Sequence, residues 1–446
     1  MGQALIAALA AVYPDDAYDN PASWTRCAPL TPHLLATCET ERTDAAANAQ
    51  FAELLVRAGS YFHGQAAYAQ ARLLFERALA ICEKALGPEH PDTASILDHL
   101  ALLLHEQGDL AGALPLYERA LAVHEKALGS EHPAKAASLN NLAALLQDQG
   151  DLARARPFYE RALAIREKVL GPEHPYTGIS LNNLATLLQN QGDLARARPL
   201  YERALAIRER VGGPEHPDTA SSLNNLAALL EAQGDLAGAR PLYERSLAIC
   251  ERALGPEHPD TASFLNNLAV LLEAQGDLAG TRPLKERALA IREKVLGREH
   301  PETAISLNNL AFLLQAQGDF AGARPLYERA LAICEKALGP EHPDTAGILS
   351  NLAGVLGQIG DTCDAEARFK RAIATGEKAL GREHRRTQRF CSQYARLLLD
   401  TGRAAEATRL AQTALEIHEA TSGPNYPWTK DSARVVADAL EALNRT

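Results

Sequence analysis

At 446 residues the chain is long enough for about three domains of ~150 residues, and with 46% hydrophobic and 23% charged residues it can bury a large core, which excludes a disordered polymer. Aromatics make up only 5%, with two Trp and one Met, so much of the apolar content is Ala and Leu, a composition of helix formers. The balance of 45 basic against 56 acidic residues, a net charge of −11, argues against nucleic-acid backbone and anionic membrane as main partners.

Residues 1–12 are apolar and Ala-rich but hold no Lys or Arg, so they lack the positive start of a secretory signal. Ile6 stands where myristoylation wants Ser or Thr. No apolar run approaches the ~18 residues of a membrane span. Seven cysteines, odd in number and without paired spacing, fit a reducing compartment. The expectation is a cytoplasmic protein with neither membrane nor nucleic acid as partner. Residues 1–45 are expected to form an N-terminal helical segment, with A-L-A-A-V-Y-P-D-D at 8–16 and N-P-A-S-W-T-R-C-A-P-L-T-P-H-L-L-A at 20–36.

From about residue 46 the chain repeats. G-P-E-H-P-D-T-A begins at Gly87, Gly255 and Gly339, with variants at Gly129, Gly171, Gly213, Gly297, Gly381 and Gly423, each start 42 residues after the last. L-N-N-L-A keeps the same step at Leu139, Leu181, Leu223, Leu265 and Leu307. In the copy after Gly213, apolar residues at helical spacing predict one amphipathic helix from Pro217 to about Gln233 and a second from Leu236 to Leu254. Pro217 suits a first-turn position, and Gly234-Asp235 punctuates the pair. Pro241 and its equivalents, in the second helix, predict a bend there.

A single hairpin cannot bury both its stripes, so neighbours must stack. The predicted fold is therefore all-α, a right-handed α-solenoid of about nine helical hairpins. Repeats are expected at about 46–87, 88–129, 130–171, 172–213, 214–255, 256–297, 298–339, 340–381 and 382–423, followed by a C-terminal cap helix over 424–446.

Several registered motifs carry a family resemblance. Around the Gly234 turn, Ala227, Ala239 and Ser246 match the small packing positions of tetratricopeptide repeats, and Leu223, Leu226 and Tyr243 the large ones. The 42-residue unit, L-N-N-L-A, the proline before L-Y-E-R-A-L and the G-P-E-H-P-D-T-A connector together resemble the tetratricopeptide domain of kinesin light chain and its bacterial relatives, over about 50–425. The stretch 1–45 resembles the segment that precedes the repeats in bacterial NB-ARC (STAND-class) receptors. No G-x-x-x-x-G-K-[ST] phosphate loop occurs in the chain.

The resemblance implies a non-enzymatic scaffold that captures a protein or peptide in a concave groove, without cofactor or metal. Two other readings stand beside it: the sensor region of a STAND receptor separated from its NTPase, and an architectural assembly subunit. In peptide-binding relatives the second Asn of the pair is a backbone clamp, which carried over gives Asn141, Asn183, Asn225, Asn267, Asn309 and Asn351, flanked by Asn140, Asn182, Asn224, Asn266 and Asn308. An amide offers a donor and an acceptor, so a row of them can hold an extended peptide. Equally, the row can bond across to the next hairpin and hold only the solenoid. Specificity is expected three and seven residues further on, where Thr186, Asn190, Val270 and Phe312 are the distinctive choices among small, apolar or acidic side chains. Such a wall suits a neutral or basic ligand.

The histidines of Glu-His-Pro, from His90 to His384, are too far apart in a stacked array to share an ion, so they read as helix caps. Cys82, Cys250 and Cys334 share a register with Arg166, Arg208 and Arg292, which suggests a partly solvated slot, while Cys391 reads as core. Alternating Arg and Glu on the second helices predict a solvated, salt-bridged face.

Overall fold

A computed structural model of the chain describes residues 2–16, 18, 23–36, 45–129, 131–424 and 426–444. Part of the N-terminal motif, residues 20–22, and Cys38 therefore lie outside the described residues. Those described fold entirely into helices and their connections. Two short helices, α1 (Gly2–Val12) and α2 (Trp24–Ala36), come first. Then follow an alternation of A and B helices: α3 (Ala45–Gly64), α4 (Tyr68–Ala85), α5 (Pro91–Glu106), α6 (Leu110–Leu128), α7 (Pro133–Asp148), α8 (Leu152–Val169), α9 (Pro175–Asn190) and α10 (Leu194–Val211). The same alternation continues with α11 (Pro217–Ala232), α12 (Leu236–Ala253), α13 (Pro259–Ala274), α14 (Leu278–Val295), α15 (Pro301–Ala316), α16 (Phe320–Ala337), α17 (Pro343–Gln358), α18 (Thr362–Leu380), α19 (Arg385–Asp400) and α20 (Ala404–Ser422). A last helix, α21 (Pro427–Asn444), closes the series.

Local chemistry fixes each hairpin. Gly234 takes φ +84°, the left-handed conformation that ends α11, and the Asp235 carboxylate accepts from the Gly238 amide at 2.8 Å to begin α12. Between hairpins, Gly255 at φ +103° turns the chain. His258 Nδ1 then accepts from the Asp260 amide at 3.2 Å as an N-cap, with Pro259 in the first turn. The Thr261 hydroxyl donates back to the Gly255 carbonyl at 2.9 Å. Thr93, Thr177, Thr219, Thr303, Thr345 and Thr387 occupy the same fully buried register. The histidines are thus caps, and among the described residues no three His, Cys, Asp or Glu side chains gather as a metal group. The B helices run unbroken through their prolines: Pro241 lies within the first two turns of α12, and the carbonyl it leaves without a partner belongs to exposed Ala237.

The chain divides into two compact units, residues 1–145 with 157–171 and residues 146–156 with 172–446. In the first, α1 and α2 pack on α3 and add Ile6, Leu9, Cys27 and Leu34 to a core with Phe51, Leu54 and Leu55. Tyr13 and Thr31 share a buried hydroxyl bond at 2.8 Å. In the second, each A helix from α9 to α19 pairs with its own B helix, and each B helix packs on the following A helix. The interfaces are layers of Leu and Ala with a Tyr at the centre in several hairpins, as in the layer of Ala227, Leu230, Ala239, Tyr243, Leu268 and Leu271. α21 packs on α19 and α20 and buries Val435 and Ala439.

One sequence expectation is corrected here. Most of the Cys/Arg register is withdrawn from water: Cys82, Cys250 and Cys334 are buried, and so is Arg292 at 4% exposure, while Arg208, with 17% of its side chain exposed, is half-buried. The Arg292 guanidinium stays inside because Ser306 at 3.0 Å, Ser263 at 2.9 Å and Glu302 at 2.7 Å receive protons from its two Nη atoms, although its Nε is buried without a partner.

Candidate functional site

Along the second unit α9 touches α11, α11 touches α13, α15 touches α17 and α17 touches α19. Their Asn pairs consequently meet. Asn225 Nδ2 donates to Asn182 Oδ1 at 2.7 Å, Asn267 to Asn224 at 2.9 Å, and Asn351 to Asn308 at 3.0 Å. Each rung joins the second Asn of one hairpin to the first Asn of the hairpin before it. Ser350 extends the pattern by donating to Gln393 Oε1 at 2.6 Å. One N–H of each second Asn is used in this way, and these residues stay half-buried. Asn183 is half-buried on α9; on α7, Asn140 is buried and Asn141 half-buried.

The row is interrupted between α13 and α15. Asn266 is 6% exposed and its Oδ1 is buried without a hydrogen-bond partner. Asn309 instead lies beside Asn308, at 3.5 Å, and its backbone carbonyl accepts from Lys285 Nζ at 3.1 Å. Lys285 occupies the register that holds Tyr in α10, α12 and α16. In those hairpins the phenol reaches the last turn of the A helix: Tyr201 donates to Gln189 at 3.1 Å, Tyr243 to Glu231 at 3.1 Å, Tyr327 to Gln315 at 3.0 Å. Lys285, 2% exposed, holds Glu273 there at 2.6 Å. Burial raises the Glu231 pKa, with the Tyr243 bond opposing it.

Beside this floor the predicted specificity positions differ in availability. Val270 and Phe312 are each 44% exposed, and Ile305, one turn-pair before Phe312, is 38% exposed. Thr186 is instead engaged, sharing hydroxyl bonds with the Asn182 carbonyl at 3.0 Å and Tyr201 at 2.8 Å. Asn190 ends α9 half-buried. The next A helix replaces side chains with Gly347 and Gly354, where a Cβ would find only ordinary contacts, at 3.8 and 3.6 Å.

The Arg-rich B helices form the ion-paired face expected of them. Arg198, Arg240, Arg282 and Arg324 each hold the Glu four residues on at 2.8 Å. Bonds to the preceding hairpin join Arg245 to Glu209 and Arg287 to Glu251, and Lys294 pairs with Glu257 of the connector that enters its own hairpin. On α5 the Asn register holds Asp98 and His99. Asp98 accepts from Ser138 at 2.8 Å and burial pushes it up to about 7; His99 stacks on Phe75 at 5.6 Å and burial lowers it to about 4. Nearby, His63 and Tyr18 both engage Glu106. Lys285, Asp98 and His99 are departures from the repeat, visible in the sequence only as breaks in an otherwise regular register.

Tetratricopeptide repeat models match this chain in seven overlapping stretches from residue 50 to residue 378, and a second such model matches residues 391–427. No curated protein matches it. Among solved structures, a Podosopora anserina protein assigned to the kinesin light chains, with nearly identical TPR-like repeats, is 33% identical over 46% of this chain and 98% of its own, with a TM-score of 0.39. BtubC (BKLC) from P. vanneervenii is 28% identical over 53% of this chain and 92% of its own, with a TM-score of 0.40.

Proposed function

The chain belongs to the tetratricopeptide repeat family, whose repeats generally mediate protein–protein interaction, and on that premise we propose that it is a non-enzymatic scaffold capturing an extended peptide segment of a partner along its A-helix face. The observation that supports this best is the Asn row of α9 to α17. Each rung uses one amide proton, which leaves the second Asn an oxygen and a proton to offer to a peptide backbone. Exposed Val270 and Phe312 supply an apolar anchor next to that row. The specificity positions of α9 to α15 hold no Lys or Arg, so the segment bound there is neutral or basic.

The test is a fluorescence titration with C-terminally amidated peptides of neutral, basic and acidic composition. Neutral or basic peptides with a central apolar residue should bind most tightly. Asn225→Ala with Asn267→Ala, and separately Phe312→Glu, should weaken them at least tenfold. Preference for acidic peptides, or unchanged affinity in both variants, would refute the proposal.

A further inference from the structure

Of the five arginines from Arg385 to Arg403, three hold carboxylates and two do not. Arg386 holds Asp344 at 2.6 Å, Arg396 holds Asp438 at 2.6 Å, and Arg403 holds Glu366 at 2.9 Å and Glu406 at 2.7 Å. Arg385 and Arg389, one turn apart on α19, form no ion pair and no side-chain hydrogen bond among the described residues; Arg385 Nη1 is buried with nothing to receive its proton. Both guanidiniums border one indole. Arg389 lies 4.7 Å from the Trp428 ring centre, and Arg385 lies 6.0 Å from it and 5.9 Å from Tyr426. Tyr426 meets Trp428 edge-on at 5.5 Å.

Stacking on an aromatic face offsets part of a guanidinium's charge but gives its N–H groups, which point outward in the plane, no acceptor. Two like charges beside one ring, partly withdrawn from water, are therefore incomplete. In a chain with 56 acidic against 45 basic residues the shortfall is not one of available carboxylates. Asp431 is near enough to act on Arg389, yet it forms no ion pair with it. The first turn of α19 carries no acidic residue, where that of α17 carries Asp344, so its positive dipole end is not offset from within the helix.

We propose that Arg385 and Arg389, with Trp428 and Tyr426, form a binding site for an oxyanion borne by a peptide, a carboxylate or phosphoryl group held by the two guanidiniums while its carrier rests on the two rings. Planar forked donors suit either group. The site stands apart from the Asn row, and its test uses other probes, so each can fail alone.

With Trp24→Phe, Trp428 becomes the single indole and reports directly on the site. The full chain is titrated at pH 7.5 and constant ionic strength with an N-acetylated tetra-alanine ending in a free carboxylate, with its amide, and with inorganic phosphate. A saturable change in Trp428 emission with the carboxylate peptide or with phosphate, absent with the amide, is the expected result, and which of the two saturates identifies the group. Arg385→Gln and Arg389→Gln should each weaken it roughly tenfold or more, and Arg389→Lys, which keeps the charge and loses the fork, should fall between. Should a Gln variant fail to fold, the thermal midpoint of the unsubstituted chain must still rise with the oxyanion and not with chloride. Absence of saturation by either oxyanion, or equal binding by folded Gln variants, overturns the proposal.

Discussion

Lys285 replaces a tyrosine whose other copies bond the end of the neighbouring A helix, and the exchange has a calculable cost. At 2.6 Å and an effective dielectric of about 20, attraction between Lys285 and Glu273 is roughly 6 kcal/mol. Taking two ions out of water costs several kcal/mol each, so the pair sits near break-even, whereas stranding one member costs about 3–5 kcal/mol. Lys285→Tyr returns the phenol–carboxylate arrangement seen at Tyr243 and Glu231 and should stabilise the chain by about 1–3 kcal/mol. Lys285→Met leaves Glu273, 18% exposed, without its cation and should cost about 3 kcal/mol. The same logic predicts that Tyr327→Lys, facing uncharged Gln315, costs about 3–5 kcal/mol, and Tyr243→Lys, facing Glu231, less than half of that. Long repeat arrays do not unfold in one step, so the measurement is amide hydrogen exchange over α13 to α16 alongside guanidinium unfolding midpoints. A destabilised Lys285→Tyr chain, or equal penalties for the two Tyr→Lys variants, would refute the reasoning.

Three further predictions concern other chemistry. Burial lowers the His384 pKa to about 4 from an ordinary 6.5; the unfolded chain therefore binds a proton that the folded one refuses, and stability should fall as pH drops from about 6.5 towards 4. Protection of the amides at the start of α19, taken relative to their intrinsic exchange rates at each pH, should be lower at pH 5 than at pH 7.5, and His384→Asn, a cap that does not titrate, should abolish that difference. Lys294→Ala breaks a pair in which both side chains are at least 60% exposed, so thermal unfolding should move by no more than the equivalent of about 0.5 kcal/mol. In native thiol labelling Cys363, exposed, should react first, while Cys82, Cys250, Cys334 and Cys391 wait for unfolding; burial drives the Cys391 thiol up to about 12.

Hairpin boundaries were legible because they depend on short local signals. Gly and Asp at the turn and His-Pro at the entry each act within a few residues, and the period repeats them until chance is excluded. The Asn row was legible as residues but not as geometry. Its bonds join positions 43 apart, Asn182 to Asn225, one step off the period at which copies are compared. The threonine of the connector was equally visible, yet its role depends on a carbonyl six residues back that only the folded turn brings near. Arg292 misled for a physical reason: charge in a register signals solvent only when nothing inside the fold can receive its protons, and Ser263 and Ser306 do so here. Arg385 and Arg389 escaped because a sequence displays charges but not which of them lack partners.

The constant offsets of the contacts between hairpins also bear on how such a chain can change in length. The ion pairs between hairpins reach back 36 residues and the amide rungs 43, each to the adjoining copy. Excising residues 214–255 would join Gly213 to Pro256, regenerating the Gly-Pro-Glu-His-Pro connector, and would set Asn267 opposite Asn182 in place of Asn225. The new junction would present the same bonding partners as the old. Gain or loss of a whole unit by unequal recombination thus leaves the packing rules intact, so the length of the A-helix face can evolve in discrete steps without any new interface having to be invented.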